Sequence, residues 1–369
     1  MQLPDLWKKL RQRIRQEQGP FIHQERGKLD PYNSPLTFVL ICGKSFDQSI
    51  PNAATTCRMG WCRGFEQLSI PYLLVSTSDL ARRLPDIPNP ICWLSGSDYI
   101  YLDKVNLAAL KRYRHCVWVA TWFKDDVNFY QHNKLPNNSW TTKLNNKILS
   151  SEPTFVFTIS PKSSFEYYQK WIQQGIKLVS LPLACDTSLY HANPPSCLEF
   201  DGIDMAFVGG YWPYKAQQFD LYLKPYQEKL KVFGYSPWPY AGYGGQLPEQ
   251  QEPSLYNQAK LSPTVNEPHV SLMGIDINER VFKVLGSGGM TITDVTPAYR
   301  EWFTEDELLV PTSVNEFHEM VNLSLKNESF NHKYKQAGYK AILKRHTYVH
   351  RANLMLLSIG IETLTSECN

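Results

Sequence analysis

The 369 residues carry 38 basic and 35 acidic side chains, and a net charge of +3 is too small to call for a nucleic-acid partner. With 43% hydrophobic and 20% charged residues the chain can bury a sizeable core, and its length fits two domains of ordinary size. No apolar run approaches the roughly 18 residues that span a bilayer, and Met1 to Pro20 is charged and lacks an apolar h-region, so the expectation is a cytoplasmic protein with reduced thiols.

The first 30 residues read as a basic amphipathic segment. Leu3, Leu6, Trp7, Leu10 and Ile14 share one helical face, and Lys8, Lys9, Arg11, Arg13 and Arg15 occupy much of the rest. Such a helix over residues 3–18 suits the anionic inner face of a membrane; alternatively, its apolar side packs on the protein's own body. From Pro35 strand and helix alternate. Apolar strand runs are predicted at 36–42, 72–75, 91–94, 116–120, 155–159 and 178–181, with helices at 53–68, 105–113 and 163–173 between them. Continuous apolar strands separated by amphipathic helices imply a parallel sheet covered on both faces. Residues 184–202, with Asn193-Pro194-Pro195, read as a linker.

A second alternation follows. Strands are predicted at 204–208, 231–233, 261–264, 290–293 and 308–310, and helices at 215–230, 255–259, from Asn278, at 314–325 and over 333–361. The expected fold is therefore α/β, with two doubly wound Rossmann-like domains facing a cleft. Ligands of such sheets bind beyond the strand C-termini, here the loops 43–52, 95–99, 121–128, 209–215, 234–245 and 266–280.

The segment from Asp276 to Asp294 carries the densest chemical signal. Asn278 is placed to cap a short helix, and Gly286-Ser287-Gly288-Gly289 to end it. A helix start presents unpaired N–H groups and partial positive charge. Arg280 and Lys283, three residues apart, share a helix face beside it. The alternative is a solvated face in which Glu279 and Lys283 form an ordinary i,i+4 pair. Gly209 and Gly210 end a strand, where a diphosphate needs close backbone approach; the plain alternative is a turn. Lys215 opens a helix, an unfavourable place for a cation unless an anion binds nearby. Gly234 and Asn266 end two further strands. Asp98, Asp125 and Asp126 follow first-half strands and could serve as a base toward an acceptor hydroxyl, with Asp126 and Asp98 preferred. Gly43-Lys44-Ser45 lacks the earlier glycine of a P-loop. Cys57 and Cys62 have no second ligand pair, and His346 and His350 lack the glutamate of a zincin.

Phe207-Val208-Gly209-Gly210, Val232-Phe233-Gly234, Asn278-x-Arg280-x-Phe282 and Gly288-Gly289-x-x-x-Thr293-Asp294 together resemble GT-B glycosyltransferases. The group whose C-terminal domain resembles spore-maturation-type glycosyltransferases is the nearest in pattern. His346-Thr347-Tyr348-x-x-Arg351-Ala352 resembles that group's last helix. The likeness covers residues 200–355, and residues 35–185 follow only the general pattern. It implies an N-terminal acceptor domain at 31–185, a nucleotide-sugar donor domain at 186–345, and a C-terminal helix and tail at 346–369 that return to the first domain. It further implies a glycosyltransferase of the hexosyltransferase class, with a nucleotide-diphospho-sugar as substrate, no cofactor and no resident metal. The donor-binding residues would be Gly209, Gly210, Lys215, Gly234, Asn266, Asn278, Glu279, Arg280 and Lys283. One departure stands out. Many GT-B enzymes have a ribose-binding glutamate where this chain has Lys283. Lysine cannot accept a hydrogen bond, so either Glu279 takes that role or Lys283 meets phosphate. Two other readings share the architecture. A sugar-nucleotide 2-epimerase would need no acceptor, and a two-domain sugar-binding protein would need export and no nucleotide.

Overall fold

The computed structural model describes residues 26–43, 53–119, 139–273 and 276–361. The amphipathic segment at 3–18, Asp125 and Asp126 lie outside them. The first half forms a six-stranded, all-parallel sheet from β1 (Thr37–Cys42), β2 (Tyr72–Ser76), β3 (Pro90–Ser95), β4 (Arg114–Val119), β5 (Phe155–Thr158) and β6 (Lys177–Ser180), in the order β2-β1-β3-β4-β5-β6. All six β1 residues are buried, as continuous apolar strands in a doubly covered parallel sheet require. Helices α1 (Ala53–Gln67), α2 (Lys104–Leu110) and α3 (Ser139–Ser151) connect the strands. One face buries Val39, Leu94, Val117, Ile148 and Trp171, and the other Phe38, Trp61, Trp93 and Phe157.

The second half centres on β7 (Met205–Val208) and β8 (Leu230–Phe233), paired in parallel. The expected strands at 261–264, 290–293 and 308–310 are present as isolated parallel bridges, Met205 to Leu261, Thr264 to Thr293 and Ile292 to Leu309. Its helices include α4 (Ala216–Tyr222), α5 (Glu252–Gln258), α6 (Glu279–Gly286), α7 (Val314–Lys326) and α8 (Glu328–Arg345), with a short helix at Pro268–Met273. The helix expected over 215–230 stops at Tyr222, because Pro225 removes a backbone donor and permits only a short 3-10 turn at Lys224–Tyr226. The expected 333–361 helix is two helices, and the break falls at His346-Thr347.

After that break the chain returns to the first sheet. Helix α9 (Tyr348–Ser358) is capped by the Thr347 side chain and packs on α1. Tyr348, Ala352, Met355 and Leu356 join the same core as Trp61 and Trp93, and the Tyr348 ring meets Trp61 edge-on at 5.7 Å. The side of Gly60 is filled by the Tyr348 ring, which leaves no room for a Cβ. The presumed linker at 184–202 is packed. Cys185 and Tyr190 are buried, and Asp186 pairs with Arg63 of α1. Two further contacts join the halves. Thr56 donates to Glu249 at 3.0 Å, and Ser160, just beyond β5, donates to Asp276. Among the described residues no helix is long and apolar enough to cross a membrane.

Candidate functional site

Helix α6 begins where the sequence places it. The Asn278 side chain accepts the Arg280 N–H at 2.9 Å, and the Asn278 N–H donates to the Tyr299 hydroxyl at 2.8 Å. The helix ends at Gly286; beyond it Gly288, whose φ of +69° suits glycine, turns the chain, and the Gly289 N–H returns to the Val284 carbonyl. Capping is thus the work of Asn278, and it fixes the direction in which the first turn points.

Arg280 reaches from that turn to the end of β7. Its Nε and Nη2 donate to the Val208 carbonyl at 3.1 and 2.8 Å, and its guanidinium lies over the Phe207 ring at 4.1 Å. Nη1 is buried and has no hydrogen-bond partner among the described residues. A buried charged donor without a partner carries a large desolvation penalty. The guanidinium is therefore held flat against Gly209 with one donor nitrogen reserved. Gly234 stands against the Gly209 carbonyl so closely that any Cβ would collide with it. Its glycine allows the ends of β7 and β8 to meet. Gly210 lies beside the Ser236 hydroxyl and the Trp212 indole, and Trp212, Tyr214 and Tyr235 are exposed around it.

Lys215 stands at the start of α4 and pairs with Glu267. Burial lowers its ammonium from the ordinary lysine value; Glu267 opposes that shift, and the nearby Arg280 charge adds to it. The cation expected to need an anion at this helix start already has a carboxylate there.

Lys283 is held by carboxylates, the expected i,i+4 partner Glu279 among them. Its ammonium lies 3.3 Å from Glu252, 3.6 Å from Glu279 and 3.7 Å from Glu249. Burial alone would lower this ammonium, but the three carboxylates outweigh it and hold it well above the ordinary lysine value. The i,i+4 pair with Glu279 exists as the pattern allowed, but inside a cage. Glu249 and Glu252, three apart in Glu249-Gln250-Gln251-Glu252, were not singled out in the sequence; acidic residues in a polar loop look solvated until the fold buries them.

Asn266 is also engaged internally. Its N–H and Nδ2 donate to Asp294 at 2.8 and 2.7 Å, and its Oδ1 accepts from Tyr299 at 3.1 Å. It fixes the strand end next to Asn278, with its amide saturated. Asp98 is a capping residue rather than an open base. Its two oxygens accept the Gly43 and Ser95 N–H groups at 2.9 and 3.0 Å, with Arg58 at 3.8 Å. Burial pushes its carboxyl up, while Arg58 and the two N–H groups oppose that.

The structure thus brings Gly209, Gly210, Lys215, Gly234, Asn278, Glu279, Arg280 and Lys283 to one end of the second sheet. Asp98 sits at the corresponding end of the first. His346 is structural. Its ring bonds the Trp302 carbonyl and Arg351, and burial together with Arg351 and Arg345 lowers it to about 2.

Residues 216–356 match a protein-family model described as glycosyl transferase-like. No curated protein matches the chain in sequence. Among solved structures, the chain resembles sucrose-phosphate synthase of Thermosynechococcus elongatus at a TM-score of 0.60 and 11% identity, over 88% of this chain and 98% of that one. T4 phage β-glucosyltransferase in complex with UDP-glucose aligns at 0.55 and 12%, over 88% and 100%. Anabaena HepE in complex with UDP-glucose aligns at 0.57 and 11%, over 87% and 99%. The chain has the GT-B fold of these proteins, and its second half carries a glycosyl transferase-like domain.

Proposed function

We propose that this GT-B chain is a glycosyltransferase that moves a sugar from a nucleotide-diphosphate donor to a hydroxyl acceptor. Residues 186–345 hold the donor and residues 31–185 the acceptor. The observation that carries this reading is the reserved Nη1 of Arg280, buried beside Gly209 at the capped start of α6. An oxyanion there meets a fixed cation at the positive end of a helix dipole, with no reorganisation of the guanidinium needed as charge develops.

In the transfer, the acceptor oxygen loses its proton to a base and bonds the anomeric carbon. The bond from that carbon to the diphosphate oxygen breaks, and the diphosphate leaves with the electron pair. Arg280 neutralises the departing charge. Lys215 adds to it only if Glu267 turns aside. The base is assigned to Asp126, since Asp98 has both oxygens engaged by backbone N–H groups. Uridine is the expected base of the donor, because two of the proteins that share this fold were solved with UDP-glucose.

The test is a thermal-shift panel of UDP, GDP, ADP and UDP-glucose, with and without a chelator. A ligand at 100 times its Kd stabilises by about 2.7 kcal/mol. UDP and UDP-glucose should raise the midpoint by several degrees, chelator or not. A panel with no response would defeat the reading. Released free epimer in the absence of any acceptor would move the assignment to a 2-epimerase.

The reading includes a location. Residues 3–18 rest on an anionic membrane surface, close to a lipid-linked or glycan acceptor. Full-length protein should sediment with anionic vesicles, and a chain lacking residues 1–19 should not, with the difference shrinking in high salt. Equal sedimentation of both would remove the membrane from the proposal.

A further inference from the structure

The cage around Lys283 has more carboxylate than it can neutralise. Three acidic side chains face one ammonium, all within 3.7 Å of it, and all four side chains are mostly withdrawn from solvent. Fully ionised, the group would carry two net negative charges. Glu279 belongs to it and is also the first residue of α6, adjacent to Arg280. We infer that donor binding is coupled to proton uptake: a diphosphate arriving at Arg280 draws a proton onto the Glu279 cluster, so that donor affinity falls as pH rises. The inference rests on the assignment of the α6 N-terminus as the diphosphate site.

Glu279 is the carboxyl of the cage that lies at the start of α6. Burial pushes its carboxyl up to about 7; Lys283 opposes this, and Glu249 and Glu252 reinforce it. The single Tyr190 hydroxyl proton is shared between Glu252 at 2.8 Å and Glu249 at 3.2 Å, and Thr56 donates to Glu249 at 3.0 Å. The phenols of Tyr190, Tyr256 and Tyr348, and the thiols of Cys57 and Cys185, face the same space from the connecting segment, α5, α9 and α1. Burial pushes all five up, so they stay neutral near pH 7. Among the described residues no other cation joins the cage itself, for Lys215 pairs with Glu267 and the Arg280 fork turns to Val208.

The sign follows directly. A carboxyl near 7 is about half protonated in the free protein at neutral pH. Negative charge placed beside it favours the protonated form. At a pH of about 7.5, a further rise of about one unit corresponds to uptake of about half a proton. Above that pH, tighter repulsion weakens binding.

Calorimetry of UDP binding at about pH 7.5, in Tris and in PIPES, reads this uptake as a heat that changes with the buffer's ionisation enthalpy. UDP's own phosphate, with a second pKa of about 6, is almost fully ionised there. The wild-type protein should take up about half a proton, and its Kd should rise severalfold between about pH 7 and 8.5. Glu279→Gln, which imitates the protonated form, should bind UDP with no buffer dependence and a flat pH profile. UDP binding without buffer dependence in the wild type, or uptake that persists in the variant, overturns the inference and leaves the donor site standing. Failure to bind UDP at any pH overturns the donor site itself. The wild-type pH profile needs no variant, so the test survives a Glu279→Gln chain that does not fold.

Discussion

Arg280→Ala should reduce kcat/KM with a nucleotide sugar by about 100- to 1,000-fold, the usual cost of deleting one preorganised donor to a developing oxyanion. UDP affinity should fall with it, because the guanidinium meets the diphosphate in the ground state as well. The fold should survive. The side chain contributes two hydrogen bonds to the Val208 carbonyl and its stack on Phe207, together about 3–6 kcal/mol, offset in part by the burial of the unpaired Nη1. Arg280→Lys should recover little, since an ammonium cannot hold the Val208 carbonyl and present a second fork at once. Steady-state kinetics, UDP calorimetry and a thermal melt on the same preparations separate the two effects. A variant that binds UDP as tightly as the wild type would remove Arg280 from the site.

Lys283→Met should act in the opposite manner, on stability first. It leaves three carboxylates around an apolar chain in a space that excludes water. Removing one partner of a buried ion pair costs about 3–5 kcal/mol. The sign with pH follows from Glu279, whose folded carboxyl burial raises to about 7 even with Lys283 opposing it, so that loss of the cation moves it further up. A raised carboxyl is tolerated below its unfolded value and penalised as pH passes through the folded one. Denaturant unfolding of Lys283→Met should therefore show its largest loss above about pH 7 and a partial recovery near pH 5. Adding Glu252→Gln to Lys283→Met should restore part of the loss. Were Lys283 instead the phosphate ligand that its spacing from Arg280 implies, Lys283→Met would lose UDP affinity and keep the wild-type unfolding curve.

The cap at Asn278, the glycine stop after α6 and the strand ends at Gly209 and Gly234 are legible in the sequence. Each depends on local chemistry: a side-chain acceptor for an early N–H, a positive φ, or a missing Cβ. The six buried strands of the first sheet were legible for a similar reason, since a strand covered on both faces has to be apolar throughout. The short strands around Leu261, Ile292 and Leu309 were located correctly, although each pairs through only a bridge or two.

Pro225 was visible in the sequence, yet the helix there was extended past it. The break at His346-Thr347 was hidden because helical residues flank it on both sides. The carboxylate cage of Lys283 is hidden in the sequence for a deeper reason. Its partners Glu249 and Glu252 lie more than 30 residues away, and Asp98 found its Gly43 partner 55 residues away. Periodicity and spacing therefore indicate the elements, the two α/β halves and the cation at the start of α6, whereas the return of the last helix is implied only by the family resemblance. Whether a charge at those positions is free for a ligand or already held was decided only in three dimensions, because an ion's environment is set by neighbours that chain order does not bring together.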